Sequence, residues 1–221
     1  MLYVVPTPIG NLEDISFRAI KVLEQANFVL AEDTRTSSKL FKHYGITTPL
    51  RPFHSFNEHK VVSSIVEMLS TGMDIAIISD AGTPGISDPA FLLVRAAVQS
   101  GIKVTVLPGA TAFVPALVAS GLPCDRFHFE GFLPHKKGRQ TRLKYIANLE
   151  ESFILYESPH RLLRCLKELI EHCGGQRRAS VAREISKIHE EFRTDSLENL
   201  LNHFEQSGTD KGEIVIVVSG L

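Results

Sequence analysis

Short, continuously apolar runs alternate with amphipathic stretches along the whole chain of 221 residues. A run that is apolar at every position, and not only at every second one, predicts a strand buried on both faces of a sheet. Alternation of such strands with helices predicts an α/β protein with largely parallel sheets. Seven runs are wholly or largely apolar in this way: Leu2–Val5, Phe28–Ala31, Ile75–Ser79, Lys103–Leu107, Phe153–Tyr156, Ser180–Ala182 and Ile214–Val218.

Helical periodicity fills the segments between these runs. Apolar residues recur at the i, i+3, i+4, i+7 spacing from Val62 to Leu69, and a similar stripe runs from Leu162 to Ile170. Gly72, Gly101 and Gly174 each lie shortly before the next predicted strand, where they end a helix.

The segment Ala119–Asp125 is the predicted boundary between two lobes. It follows a run of small residues and contains both Gly121 and Pro123, which suits a linker. The predicted lobes are therefore 1–119 and 120–221, each about the size of a small α/β domain.

Charge and cysteine content limit the classes of function. The chain has 24 basic and 25 acidic residues, which excludes a protein whose whole surface is basic. Cys124, Cys165 and Cys173 show no C-x-x-C spacing, which favours reduced thiols. The first residues lack a basic region followed by an apolar one, and no apolar run reaches the ~20 residues of a membrane span. We therefore expect a cytoplasmic protein.

Unusual loops follow most of the predicted strands. Ligands of parallel α/β sheets bind at the carboxyl ends of strands, and loops fixed by proline and glycine let backbone groups approach a ligand closely. None of the loops is a G-x-x-x-x-G-K-[ST] or G-x-G-x-x-G phosphate cradle. Taken singly, Gly82, Gly85 and Gly109 are better explained as turn residues, so the prediction of a ligand site rests on their position together at one edge of the sheets. The six segments are Pro6–Leu12, Ala31–Arg35, Ser79–Pro89, Pro108–Ala112, Glu157–Arg161 and Arg183–Lys187.

Acidic residues in these loops leave two interpretations open. Asp33, Asp80 and Asp88 follow strands, where carboxylates bind magnesium in many folds. Asp88 precedes Pro89 and Asp33 precedes Thr34, so both also fit the N-cap of a helix. We expect no metal, because two of the three carboxylates, Asp33 and Asp88, have this structural explanation.

One segment is strongly basic. His135–Lys144 contains five lysines and arginines and no acidic residue. Such a run is either a solvated loop and helix start or a surface that neutralises several phosphates. The rest of the chain then holds 19 basic against 25 acidic residues, which describes an acidic body with one basic edge.

Together the loops resemble those of the tetrapyrrole-methylase-like, class III S-adenosylmethionine methyltransferases. The resemblance covers nearly the whole chain, and the lack of multiple glycines in the first loop favours members that act on RNA over those that act on porphyrins. Ala90, Ala110 and Ile185–Ser186 depart from the pattern by small or conservative changes. The matching segments are Tyr3–Leu12, Ala31–Arg35, Ser79–Pro84 with Asp88–Pro89, Glu130–Pro134, Tyr156–Leu162, Ala182–Glu184 and Lys211–Glu213.

The resemblance implies two α/β/α lobes with the methyl donor, S-adenosylmethionine, in the cleft between them, usually in a homodimer. It implies methylation of the 2′-hydroxyl of a cytidine in the decoding region of 16S ribosomal RNA, within the small ribosomal subunit. The donor contacts that it implies are Pro8, Asp80, Gly82, Thr111, Ala112, Tyr156, Arg183 and Gly212, with Glu157 and the rest of Lys211–Glu213 beside them.

A 2′-hydroxyl is a poor nucleophile, so a base near it should accept its proton. We expect that base to be Asp33 or Glu157, with Arg35 or Arg161 orienting a phosphate or the carboxylate. A structural ion pair or a helix cap would explain each of them equally well. The expected RNA contacts are Lys136, Lys137, Arg139 and Arg142. Two alternatives remain open: a small-molecule, tetrapyrrole-like methyltransferase and a non-catalytic RNA-binding assembly factor of the same fold.

Overall fold

The chain folds into two units, Met1–Thr111 and Ala112–Leu221, each built around a five-stranded sheet. The computed structural model describes residues 1–208 and 211–221. The division differs from the predicted one at the helix Phe113–Ser120, which packs against strands of the second sheet. Its Ala116 and Leu117 are buried there, so the helix belongs to the second unit although it precedes the Gly-Pro linker.

The sheet of the first unit is parallel throughout. Its strands lie in the order β3-β2-β4-β1-β5, and every residue of β2 and β4 is buried. The strands are β1 (Leu2–Val4), β2 (Phe28–Ala31), β3 (Leu50–Pro52), β4 (Ile75–Ile78) and β5 (Val104–Val106).

Four helices cover the two faces of this sheet. The first two pack with the side chains of one face, and the last two pack with the alternate residues on the other face. This three-layer arrangement explains why the central strands are apolar at every position. The helices are α1 (Phe17–Gln25), α2 (Thr34–Tyr44), α3 (Glu58–Ser70) and α4 (Phe91–Gln99).

The second unit has a mixed sheet, which corrects the expectation of largely parallel strands. Its order is β6-β7-β10-β8-β9; β6 and β7 are parallel, whereas β10 is antiparallel to both of its neighbours and β9 is antiparallel to β8. An all-apolar run predicts burial on two faces but carries no information on strand direction. The strands are β6 (Phe127–Phe132), β7 (Ser152–Glu157), β8 (Arg178–Arg183), β9 (Glu191–Ser196) and β10 (Ile214–Val218).

The helices of the second unit are α5 (Phe113–Ser120), α6 (Arg139–Ala147), α7 (Leu162–Cys173) and α8 (Leu197–Ser207). The last three share one apolar core with the sheet, which includes Leu143, Leu166 and Phe204. Within the described residues of both units, none of the helices is long and apolar enough to cross a membrane.

Asp88 does not occupy the N-cap position of helix α4, contrary to the prediction. Helix α4 begins at Phe91, and its N-cap is Ala90. Pro89 and Ala90 separate Asp88 from the helix start.

Candidate functional site

The loops after β1 and β4 are joined to each other at the carboxyl edge of the first sheet. The backbone N–H groups of Thr7 and Gly82 each donate to the other residue's carbonyl oxygen, at 2.9 Å in both directions. The Thr7 hydroxyl donates to the Ser79 carbonyl at 3.1 Å, and Gly82 has φ of +82°, a conformation that favours glycine. The predicted donor contacts Pro8 and Gly82 therefore lie on neighbouring loops.

The loop after β5 joins the same edge. The Thr83 hydroxyl lies 2.9 Å from the Ala110 carbonyl, to which it donates, and 2.9 Å from the Thr111 hydroxyl. Gly109 passes so close to Pro6 that a Cβ atom placed on it would lie 2.6 Å from the proline Cβ. Hydrogen bonds and close packing thus join the three loops, which we call the locked loops, into one surface of backbone groups and threonine hydroxyls. Ala112 follows Thr111 directly in the sequence.

Asp80 adds a negative charge to this surface. Its side chain is exposed, and its Oδ1 accepts a hydrogen bond of 3.1 Å from the backbone N–H of Asp33. A set of carbonyls, hydroxyls and a carboxylate complements a positively charged sulfonium and the hydroxyls of a ribose. By the chemistry of these groups, the residues fit S-adenosylmethionine.

Asp33 caps α2, as one of its two interpretations predicted. Its carboxylate accepts from the Arg35 backbone N–H at 2.8 Å and from Nε and Nη2 of the Arg35 side chain at 3.0 and 2.6 Å. The hydrogen bonds from the Arg35 side chain lower the pKa of Asp33 to about 2. A carboxylate with so low a pKa is a weak proton acceptor, which disfavours Asp33 as the general base.

Glu32, which the sequence argument passed over, differs from Asp33 in its environment. Partial burial raises the pKa of Glu32, and the neighbouring negative charge of Asp80 raises it further. A carboxyl with a raised pKa at a sheet edge that binds ligands is typical of acid–base catalysis. The sequence contains a signal for Glu32, because this residue comes first after a fully buried strand. The sequence argument instead assigned the role of general base to the adjacent Asp33.

At the second sheet, three predicted segments meet at one edge. Ile214 of β10 is paired with both Glu157 of β7 and Arg183 of β8, so Tyr156, Arg183 and the Gly212 loop all lie at this edge. Gly212 has φ of +101°, and a Cβ atom on it would lie 2.7 Å from Cγ of Glu184, so any other residue here would be strained and would displace the Glu184 side chain.

Glu157 has no free access to a substrate. Its side chain is 1% exposed; its Oε1 accepts from Arg161 Nε at 2.7 Å and from the Ser158 backbone N–H at 2.8 Å, and Arg139 lies 3.5 Å from Oε2. The geometry therefore favours the structural ion pair over the predicted role of Glu157 as a base. Arg161 is also occupied, since its Nη1 lies 2.6 Å from His135 Nδ1.

The basic segment separates into buried and exposed charges. The Arg139 side chain is 3% exposed and is bound to Glu168 at 2.7 Å, which corrects its assignment as an RNA contact. Arg142 donates to Glu130 through Nε at 2.7 Å and lies over the Tyr145 ring. Lys136 and Lys137 are exposed, and their role as RNA contacts stays a prediction.

Comparison with known proteins gives a consistent set of likenesses. The family model described as Tetrapyrrole (Corrin/Porphyrin) Methylases matches residues 1–201. The chain is 49% identical to a "Ribosomal RNA small subunit methyltransferase I" of Pseudomonas aeruginosa, over 99% of this chain and 78% of that protein. It is 46% identical to a protein of the same name from Synechocystis sp., over 100% of this chain and 79% of that one. Among solved structures, diphthine synthase has the same fold, with a TM-score of 0.77 at 15% identity over 99% of this chain and 89% of that one.

Proposed function

The chain belongs to the tetrapyrrole (corrin/porphyrin) methylase family, and on that premise we propose that it transfers a methyl group from S-adenosylmethionine to the 2′-hydroxyl of a cytidine in 16S ribosomal RNA. Membership confirms the predicted fold type and the predicted methyltransferase class. The proposal of an RNA substrate rests on sequence identities of 49% and 46%, over nearly the whole chain, to proteins named for the RNA of the small ribosomal subunit.

The donor site that we propose begins with the locked loops of the first unit. Backbone groups of Pro8 and Gly82, the Thr111 hydroxyl and the Asp80 carboxylate would hold it, with Ala112 beside them. When bound, S-adenosylmethionine supplies an electrophilic methyl group on a positively charged sulfur. Fixed loops that align this group with the acceptor oxygen lower the barrier through orientation. Tyr156, Arg183 and Gly212 remain predicted donor contacts within the second unit.

For the proton acceptor we propose Glu32 in place of Asp33 and Glu157. As the bond from the ribose oxygen to the methyl carbon forms and the carbon–sulfur bond breaks, the hydroxyl proton passes to the Glu32 carboxylate. Its raised pKa supports this role, and so does its position next to Asp80 at the same sheet edge. Arg35 is held by Asp33 and is exposed, so it is available to an RNA phosphate.

The RNA backbone contacts that we propose are Lys136 and Lys137. Two phosphate contacts contribute about 1.4 to the slope of log affinity against log salt concentration for single-stranded RNA. The double variant Lys136→Ala/Lys137→Ala should lose this part of the slope and keep its affinity for the donor. An unchanged slope would remove both residues from the interface.

Calorimetry and methyl transfer together test the proposal. The purified protein should bind S-adenosylmethionine and should incorporate label from it into small subunits isolated from cells that lack this gene. Absence of donor binding would leave a non-catalytic RNA-binding factor. Transfer to a tetrapyrrole but not to RNA would support the small-molecule alternative. We also propose a cytoplasmic homodimer, which light scattering of the purified protein tests for its oligomeric part.

A further inference from the structure

We propose that the loop after β3 binds an unpaired base of the RNA substrate by stacking the base on Phe56. This inference rests on the proposed RNA methyltransferase function and adds a substrate contact outside the donor loops. We call the residues Glu32–Arg35 together with Phe53–Lys60 the β2–β3 corner.

The corner contains the proposed proton acceptor, Glu32. Strands β2 and β3 are parallel, with Ala31 paired with Pro52, and the Phe53 N–H donates to the Ala31 carbonyl at 2.8 Å. The segments that follow β2 and β3 therefore leave the sheet side by side. His54, in the second segment, lies close enough to Glu32 to favour the charged form of the glutamate. A nucleotide held at this corner lies next to the group that would receive the hydroxyl proton.

Two phenylalanines of this loop are placed very differently. Phe53 is 1% exposed and belongs to the core of the first unit, whereas Phe56, three residues later, is 90% exposed. Asn57 fixes the turn between them, because its Oδ1 accepts from the His54 N–H at 2.8 Å and its Nδ2 donates to the Pro52 carbonyl at 3.0 Å. The Phe56 ring is thus presented to solvent by a hydrogen-bonded turn.

The neighbours of Phe56 are polar or charged, and they include the acidic Glu58 at the start of α3. The His54 ring meets the Phe56 ring edge to face, at 6.0 Å between centroids, and within the described residues His54 Nδ1 is buried without a hydrogen-bond partner. His59 and Lys60, in the first turn of α3, are exposed. In the segment after β2, Nε and Nη2 of Arg35 donate to the Asp33 carboxylate. Nη1 of Arg35 makes no hydrogen bond within the part of the chain that is described.

This combination matches a nucleotide better than an apolar protein surface. A protein partner would require a continuous apolar patch, whereas Phe56 is a single ring between Ser55 and Asn57. Proteins that bind unpaired RNA stack bases on aromatic rings and place basic side chains along the phosphates. Phe56 supplies the ring, and Arg35 and Lys60 supply the cations.

The test is a set of substitutions at Phe56 measured on small subunits that lack the modification. Phe56→Ala and Phe56→Leu should weaken RNA affinity by about 5- to 150-fold, the range that corresponds to one stacked base. Phe56→Trp should restore the affinity, because it returns an aromatic face. Donor affinity by calorimetry and the salt slope should stay unchanged in all three variants, since no charge is altered.

Val98→Ala provides the control, because Val98 is also exposed and lies near the end of α4, the helix that leads to β5, and β5 is the edge strand opposite β3. It should behave as the wild type. Wild-type RNA affinity in Phe56→Ala would overturn this inference but not the proposed function. Full RNA affinity in Phe56→Leu would also overturn the inference, because it would indicate apolar docking in place of stacking. A wild-type protein that binds no RNA would overturn the proposed function together with this inference.

Discussion

Replacing Arg139 should destabilise the second unit without directly weakening RNA phosphate contacts. The Arg139 guanidinium lies 2.7 Å from Glu168 and 3.5 Å from Glu157, and these three side chains are 3%, 12% and 1% exposed. Arg139→Ala would leave two carboxylates without this cation in a site from which water is largely excluded. Loss of one partner of a buried ion pair costs about 3–5 kcal/mol of the free energy of unfolding.

Urea denaturation followed by circular dichroism measures this loss. The two units have separate cores, so the transition that belongs to the second unit should move to lower urea while that of the first unit stays in place. Lys137→Ala is the matched control within the same basic segment; its exposed side chain should change stability by less than about 0.5 kcal/mol.

A compensating variant separates the ion cluster from general damage. Arg139→Met combined with Glu157→Gln and Glu168→Gln removes the buried charges together and should recover much of the lost stability. A loss below about 1 kcal/mol in Arg139→Ala, accompanied by a smaller salt slope of RNA binding, would refute the reasoning. Arg139 would then be an RNA contact, as its sequence context first indicated.

Three further predictions concern the first unit. Nuclear magnetic resonance titration should give Asp33 a pKa of about 2, and Arg35→Ala should return it toward 3.8, since the hydrogen bonds from the arginine favour the charged carboxylate; a pKa near 4 in the wild type would contradict the cap geometry. The rate of methyl transfer should fall with decreasing pH as Glu32 is protonated, at a pH above its ordinary value of 4.5. Asp80→Asn should shift this limb to lower pH because it removes a neighbouring negative charge, whereas an unshifted limb would assign the titration to another group. Gly109→Ala should cost about 1–3 kcal/mol through overpacking against the first loop and should weaken donor binding, and unchanged stability and affinity would show that the loops are not locked.

The buried strands could be predicted from the sequence because burial on both faces leaves a continuous apolar run. All seven predicted runs coincide with strands; Phe28–Ala31 and Ile214–Val218 have the same bounds as β2 and β10, and the other five differ by one or two residues at an end. The three strands that were not predicted, β3, β6 and β9, all lie at sheet edges. Their residues are largely exposed or half-buried, so β9 reads Glu-Phe-Arg-Thr-Asp-Ser and lacks the apolar signal.

The candidate site, too, could be predicted only in part from the sequence. The loops that follow β1, β4 and β5 could be placed at one edge because parallel strands share their direction, and the structure joins them there. The assignments of Arg139 and Glu157 could not be judged from sequence, because the type of a charged residue does not reveal its burial. The burial of Arg139 depends on α7, which supplies its partner Glu168 from a distant part of the chain. Local spacing carries no trace of such a contact.

The central claim is methylation of a ribose in 16S ribosomal RNA by this chain. The most direct measurement is mass-spectrometric mapping of 16S RNA from cells that lack the gene, before and after incubation of their small subunits with the purified protein and S-adenosylmethionine. The proposed function predicts one cytidine that gains 2′-O-methylation in the presence of the wild-type protein and fails to gain it with Glu32→Gln. A 16S RNA that gains no ribose methyl group with the wild-type protein would contradict the claim.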